Sequence, residues 1–247
     1  PVKELKPVKT SFLSPRMIFS FHVVSMPESP KINIIYEDNH LLVVEKPINI
    51  PVQADASKDI DMITILKKYR KEKENKSGQA FIGLIHRLDR PVGGVMVFAK
   101  TSKAASRLSD QIRKNTFQKI YLAVIKGSIS SAGELEDYLI KDKHKNISYI
   151  TNSKNGKFSK LKYEVLDTKN NMSLVKIHLL TGRSHQIRLQ FASRKHPLIG
   201  DSKYGSNPNN INIALFASSL SFNHPITKER LTFTLNKPER YPFNIFK

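Results

Sequence analysis

The chain contains no cysteine. That excludes a disulfide scaffold, a thiolate metal site and a cysteine nucleophile. Acidic residues are scarce: 21 Asp and Glu stand against 41 Lys and Arg in 247 residues, a formal charge of +20 with a pI near 10.0. No apolar run approaches the ~20 residues that a membrane-spanning helix needs. The longest candidate, residues 17–24 (MIFSFHVV), is too short and contains a histidine. Also missing are HExxH, the G-x-x-x-x-G-K phosphate loop and the G-x-G-x-x-G dinucleotide loop. Gly127–Gly133 (GSISSAG) lacks the lysine of a phosphate loop. Gly182-Arg183-Ser184-His185-Gln186 opens like a nucleophile elbow but lacks the closing glycine, and adjacent Ser184 and His185 cannot easily face each other. His86, His178, His185 and His196 form a metal site only if a fold is assumed that joins them, so no metal is expected.

What is present points to RNA or DNA. Hydrophobic residues make up 39% of the chain and aromatics 9%, enough for a real core and too much for wholesale disorder. A charge of +20 on such a domain exceeds what solubility asks for and fits a polyphosphate partner. An anionic membrane would call for a dominant basic amphipathic helix, and none stands out.

The first 30 residues carry Pro1, Pro7, Pro15, Pro27 and Pro30 with no sustained period, so they read as a poorly ordered N-terminal extension. Residues 31–247 read as one catalytic domain. Residues 31–36 and 40–46 are β-branched and apolar and flank Glu37-Asp38-Asn39, a strand–turn–strand signal. Residues 60–70 space Ile63, Leu66 and Tyr69 for a short helix, followed by a charged connector over 71–78. Strands are predicted over 81–85 and 92–99, and a helix over 102–115 capped by Thr101 or Ser102. Further strands are predicted over 119–125, 134–140, 146–151, 158–166, 173–180, 213–222 and 230–235. The strand at 173–180 puts Leu174, Lys176 and His178 on one face and Val175, Ile177 and Leu179 on the other. Strands outnumber helices without alternating with them, which predicts an α+β fold with a mixed, mostly antiparallel sheet.

Two polar segments leave buried strands: His86-Arg87-Leu88-Asp89-Arg90-Pro91 and Leu180-Thr181-Gly182-Arg183-Ser184-His185-Gln186-Ile187-Arg188. Loops held by rigid strands are where catalytic groups usually sit. The first, extended to HRLDRPVGGVMVFAK, resembles the signature of the RluA-type pseudouridine synthases. YEDNHLLVVEKP, KIYLAVIKG, LLTGRSHQIRLQFASRKHPLIGDSKYG and LSFNHPI resemble further blocks of that family, in the family's order, across about residues 32–245. One departure is Pro91-Val92-Gly93-Gly94, where many members have Asp-Thr-Ser-Gly. It touches the loop backbone and RNA choice, not the acid.

The resemblance implies a pseudouridine synthase fold and an isomerase that detaches uracil from its ribose, turns it and rejoins it through carbon five. No redox step or group donor is involved, so no cofactor and no metal are expected. Asp89 takes the catalytic role, as nucleophile or as base for a glycal route. A carboxylate among phosphates is drawn toward its neutral form, and a two-pronged guanidinium opposes that; by resemblance this is Arg188, with Arg183 as competitor. Tyr121 matches the family's active-site tyrosine. The remaining expected RNA contacts are Arg87, which would brace the gap left by the flipped base, His86, which more nearly fixes the loop, and Arg90, Arg183 and His185. Lys119 reads as part of the basic surface. The expected partner is ribosomal or transfer RNA, without membrane, and the expected state is a monomer. The expected location is the cytoplasm, with organellar import left open by the basic, hydroxyl-rich N-terminal residues. The competing reading is a non-catalytic RNA- or ribosome-binding protein on the same fold; an acid amid His86, Arg87 and Arg90 favours the enzyme.

Overall fold

Asp38 closes the first turn by accepting the N–H groups of His40 at 2.6 Å and Leu41 at 2.7 Å. This Asp turn joins β1 (Asn33–Glu37) to β2 (Leu41–Lys46). The structure is a computed structural model that describes residues 30–75, 77–205 and 209–247. The expected N-terminal extension therefore lies outside the described residues, apart from Pro30.

After β2 come α1 (Met62–Lys73), β3 (Gly83–Leu84), β4 (Gly93–Ala99), α2 (Ser102–Arg113) and β5 (Gln118–Lys126). The chain continues through β6 (Ala132–Asp142), β7 (Ile147–Thr151), β8 (Lys157–Lys169), β9 (Met172–Leu179), α3 (Gln186–Ala192), β10 (Leu215–Asn223) and β11 (Arg230–Thr234). All strands join one 11-stranded sheet in the order β1-β2-β4-β10-β5-β9-β8-β6-β7, with β11 beside β10 and β3 beside β4. Only β4 and β10 run parallel, Gly93 opposite Phe216 and Gly94 opposite Ala217. The architecture is α+β with a mixed, mostly antiparallel sheet.

Three elements differ from the sequence reading. Helix α1 runs on to Lys73, into the charged connector, because Arg70 turns inward and donates to the carbonyls of Phe81 at 2.6 Å and Lys100 at 2.7 Å. The strand predicted over 81–85 shrinks to Gly83–Leu84. Helix α3 was not predicted: Gln186, Arg188 and Gln190 are buried beside Ile187 and Phe191, so the short apolar pair is masked by buried polar residues. Thr101, rather than Ser102, caps α2 by accepting the Ala104 N–H at 3.2 Å.

Alternation along the strands divides the core between the two faces. Leu42, Val44, Met96, Phe98, Tyr121, Ala123, Val175, Ile177 and Leu179 face one side, covered by Met62 and Leu66 of α1 and by Ile187 and Phe191 of α3. The opposite side holds Val43, Val95, Val97 and Phe222 against Leu108 of α2, with Leu174 and Phe216 against Phe243 and Phe246 near the C-terminus. Each Val, Leu, Ile, Phe or Met among them contributes ~1.5–3 kcal/mol on burial. The inner row of β9 is the one expected.

Gly94 makes the parallel crossing of β4 and β10. It sits at φ +125°, and a Cβ there would come within 2.2 Å of the Ala217 carbonyl oxygen. Only glycine permits both the conformation and the approach. The loop carrying Asp89 is thereby pressed onto the first face.

Candidate active site

Residues 86–92 leave β3 and enter β4 with Leu88 buried in the first-face core. That anchor sends Arg87 outward to solvent and leaves Asp89 partly covered, its side chain 31% exposed. The Asp89 carbonyl accepts the Val92 N–H at 2.9 Å, closing a tight turn. Lys46, at the end of β2, braces this turn from within. Its Nζ donates to the carbonyls of Pro47 at 2.8 Å, Arg90 at 3.0 Å and Val92 at 2.8 Å. Burial pulls the Lys46 pKa down to about 7, while Asp89 opposes that and Arg90 reinforces it.

The partner segment follows β9. Arg188, on α3, donates from Nη1 to Asp89 Oδ2 at 3.1 Å. Its two-pronged contact is not with Asp89. Nε and Nη2 clasp Asp201, at 2.8 Å to Oδ2 and 2.7 Å to Oδ1. Asp201 is fully buried and also accepts the N–H groups of Lys203 at 2.9 Å and Tyr204 at 3.2 Å. The expected fork on Asp89 is thus corrected to a single prong. A buried guanidinium needs a complete set of acceptors, and a partly exposed carboxylate cannot supply them. Burial disfavours both charges of the pair, yet mutual attraction outweighs it: the Arg188 pKa is raised and the Asp201 pKa lowered.

His185 enters α3 in the left-handed region at φ 55° and lies buried beneath Asp89. Its Nε2 stands 3.8 Å from Asp89 Oδ2 and its Nδ1 2.8 Å from the Tyr204 hydroxyl. Tyr204 accepts the Ser148 N–H at 2.7 Å, and its ring lies under the Arg188 guanidinium at 5.4 Å. Burial lowers the His185 pKa to about 4 against the pull of Asp89, so the ring is neutral near pH 7. His185 is therefore corrected from an RNA contact to part of the floor under the carboxylate.

Tyr121, on β5, is buried on the same face. Burial, with the Asp89 charge added, pushes its hydroxyl pKa up, so the phenol stays protonated and close to the acid. Among the described residues Tyr121 has no hydrogen bond and Asp89 Oδ1 accepts none, so one carboxylate oxygen and one phenol remain open to a substrate.

Other candidates lie elsewhere. His86 accepts the Val97 N–H on Nε2 at 3.3 Å and packs on Phe117 with ring centroids 5.7 Å apart. Burial, aided by Lys119, lowers its pKa to about 3. It faces the core and fixes the loop, the role the sequence reading preferred for it. Arg90 turns to residues 49–59, bonding the Asn49 carbonyl at 3.2 Å, Ser57 Oγ at 2.9 Å and the Asp59 carboxylate, and stays exposed. Arg183 is exposed and anchored by Nε on the Phe158 carbonyl at 2.9 Å, with no contact to Asp89. Lys119 is not on the open surface, being only 8% exposed. No group of three or more His, Asp or Glu side chains gathers as metal ligands among the described residues.

Sequence reasoning passed over Lys46, Asp201 and Tyr204. Each had a signal. Lys46 ends a strand that opens with four buried apolar residues, and Asp201 and Tyr204 lie at the end of the quoted block LLTGRSHQIRLQFASRKHPLIGDSKYG, where only Arg183, His185 and Arg188 were given roles.

A family model described as RNA pseudouridylate synthase matches residues 40–193. A Bacillus subtilis (strain 168) protein named as an uncharacterized RNA pseudouridine synthase is 31% identical over 207 residues, 83% of this chain and 68% of that protein. Ribosomal large subunit pseudouridine synthase D of Neisseria meningitidis serogroup A is 32% identical over 228 residues, covering 87% of this chain and 60% of the relative. Among solved structures, human RNA pseudouridylate synthase domain containing 4 shares the fold. It has a TM-score of 0.70 at 23% identity, over 83% of this chain and 88% of that one.

Proposed function

The chain belongs to the RNA pseudouridylate synthase family, and we propose that within it Asp89 is the catalytic carboxylate, nucleophile or base, acting on a flipped uridine of ribosomal RNA. The single observation that carries this reading is the state of Asp89. It is tethered through one oxygen by a buried arginine, open at the other, and set beside a protonated tyrosine.

The chemistry follows from that arrangement. A uridine outside its stack loses a few kcal/mol of stacking. Tyr121 offers a ring against which the base packs, worth ~1–3 kcal/mol. Asp89 Oδ1 then meets the ribose side of the glycosidic bond, as nucleophile at the anomeric carbon or as base for a glycal route. Arg188 orients the carboxylate through Nη1, and Asp201 keeps Arg188 in place. The bond from N1 to the anomeric carbon breaks, the uracil turns, carbon five bonds to the anomeric carbon, and carbon five then loses its proton while N1 takes one up. Exposed Arg87 stands beside Asp89, where it can brace the vacated stack. Ribosomal RNA is favoured over transfer RNA because relatives at 30–33% identity are named ribosomal large subunit synthases C and D.

Asp89→Asn tests the assignment. It preserves size while removing the negative charge and the basic oxygen. The variant is expected to bind RNA like the parent and to form no pseudouridine, read by mapping pseudouridines in total RNA with and without each protein. Turnover by the variant on an RNA that the parent modifies refutes the role of Asp89. A parent that binds RNA but modifies none favours the non-catalytic binding protein.

A further inference from the structure

Two lysines are buried near the site. Lys46 has three carbonyl acceptors. Lys119, on β5, has no hydrogen bond and no ion pair among the described residues, although it is only 8% exposed. Its stem is buried but its Nζ is not sealed from water, so an anion can reach the acceptor position that the protein leaves open. Its Nζ is 3.2 Å from where a Cβ on Gly182 would stand, and Gly182 is exposed, so the ammonium surfaces at that glycine. The next residue is Arg183, whose guanidinium is held in place through Nε on the Phe158 carbonyl at 2.9 Å. Burial lowers the Lys119 pKa and the Arg183 charge lowers it further, so two cations crowd one spot with no carboxylate answering them.

We infer that Lys119 and Arg183 clasp one backbone phosphate of the RNA over the bare backbone of Gly182. A phosphate oxygen is the acceptor Lys119 lacks, and its charge relieves the repulsion between the two cations. Lys119 precedes Tyr121 by two residues on one strand, about 7 Å along the same face. Under the reading of Tyr121 given above, the clasped phosphate therefore lies next to the flipped nucleotide. The absence of a side chain at Gly182 leaves room for the phosphate and for the ammonium tip.

Binding of a short single-stranded oligouridylate across a salt series tests the site without turnover. The Lys119→Met, Arg183→Met double variant is expected to lower the slope of log affinity against log salt by about 0.7, the loss of one phosphate contact. Lys119→Met alone is expected to melt no lower than the parent, because an unpartnered buried cation becomes an apolar side chain of similar shape. Gly182→Ala, which moves the ammonium without changing charge, is expected to weaken binding several-fold. An unchanged slope in the double variant overturns the site. A loss near 1.4 means two separate phosphates and overturns the shared clasp. A lower melting temperature for Lys119→Met makes the lysine structural and also overturns it. A parent that forms no pseudouridine yet shows the slope change would refute the catalytic reading alone.

Discussion

The segments at residues 86–92 and 181–204 look alike as sequence, each a run of charged and amide side chains leaving a buried strand. The fold treats them in opposite ways. In the first, one apolar anchor, Leu88, is buried, Arg87 points to solvent, Arg90 turns away to the 49–59 loop, and the turn is held by Lys46 reaching in from β2. In the second, Gln186, Arg188, Gln190 and Asp201 are all buried and bonded to one another or to backbone, and buried His185 is bonded to the Tyr204 hydroxyl. Gln186 Nε2 donates to Gln190 Oε1 at 3.1 Å, and Gln190 Nε2 donates to Asp137 Oδ2 at 2.8 Å on β6. One segment exposes its chemistry on a braced turn. The other buries its polarity to hold a single guanidinium prong against that turn.

The contrast is broken most directly at Asp201. Asp201→Ala leaves Arg188 as a buried cation without its principal partner, so a loss of about 3–5 kcal/mol is expected in urea unfolding. A loss below about 1 kcal/mol would mean that the second segment is not held by this pair. Arg188→Lys keeps the charge and loses the planar fork, which serves two carboxylates at once. Single-turnover rate is expected to fall about 100-fold, the scale of a misplaced catalytic group, with RNA affinity little changed. If saturating RNA restores the full rate, Arg188 is a phosphate contact instead.

Acid sharpens the same comparison. His185 titrates near 4 in the folded protein against an ordinary value of 6.5, so unfolded chains take up a proton that folded chains refuse. Stability is expected to fall as pH drops from 6.5 toward 4, and His86, lowered to about 3, acts with the same sign. The lowered Asp201 pKa contributes stability above the ordinary carboxylate range and loses it as pH falls through that range and below. Melting curves of His185→Gln are expected to decline less steeply over the 6.5-to-4 window; an unchanged decline would place the acid sensitivity elsewhere. The smallest effects belong to the first segment. Arg87→Ala is expected to leave stability within about 0.5 kcal/mol and to weaken RNA binding. Arg90→Ala loses an exposed ion pair worth about 0–1 kcal/mol and is expected to leave RNA affinity unchanged. Reversed roles in filter binding would contradict the orientations seen for the two arginines.

Much of the fold was legible because strand alternation is a local signal: Val175, Ile177 and Leu179 declare their face without help from distant residues. Helix α3 was not, since seven residues with a buried polar face offer no apolar period. Of the site, Asp89, Arg188 and Tyr121 could be named through resemblance, whereas what each one touches could not. His185 was placed among the RNA contacts through resemblance and the fold buries it, whereas His86 fixes the loop as expected. His224 and Asp38, from the first and last family blocks, meet at 2.9 Å, a pairing that spacing alone does not reveal.

By itself, then, the sequence determined the α+β class and the basic character that suits RNA, and through resemblance offered Asp89 as the candidate carboxylate, because composition, two-residue periodicity and motif order are properties of the chain. Only the tertiary structure decided that Arg188 gives its fork to Asp201 and one prong to Asp89, that Lys46 braces the turn and that Lys119 is left without an acceptor. Those outcomes depend on which polar groups are sealed from water together. Burial makes each unsatisfied donor or acceptor costly, and the partners that answer them come from strands and loops far apart in the chain.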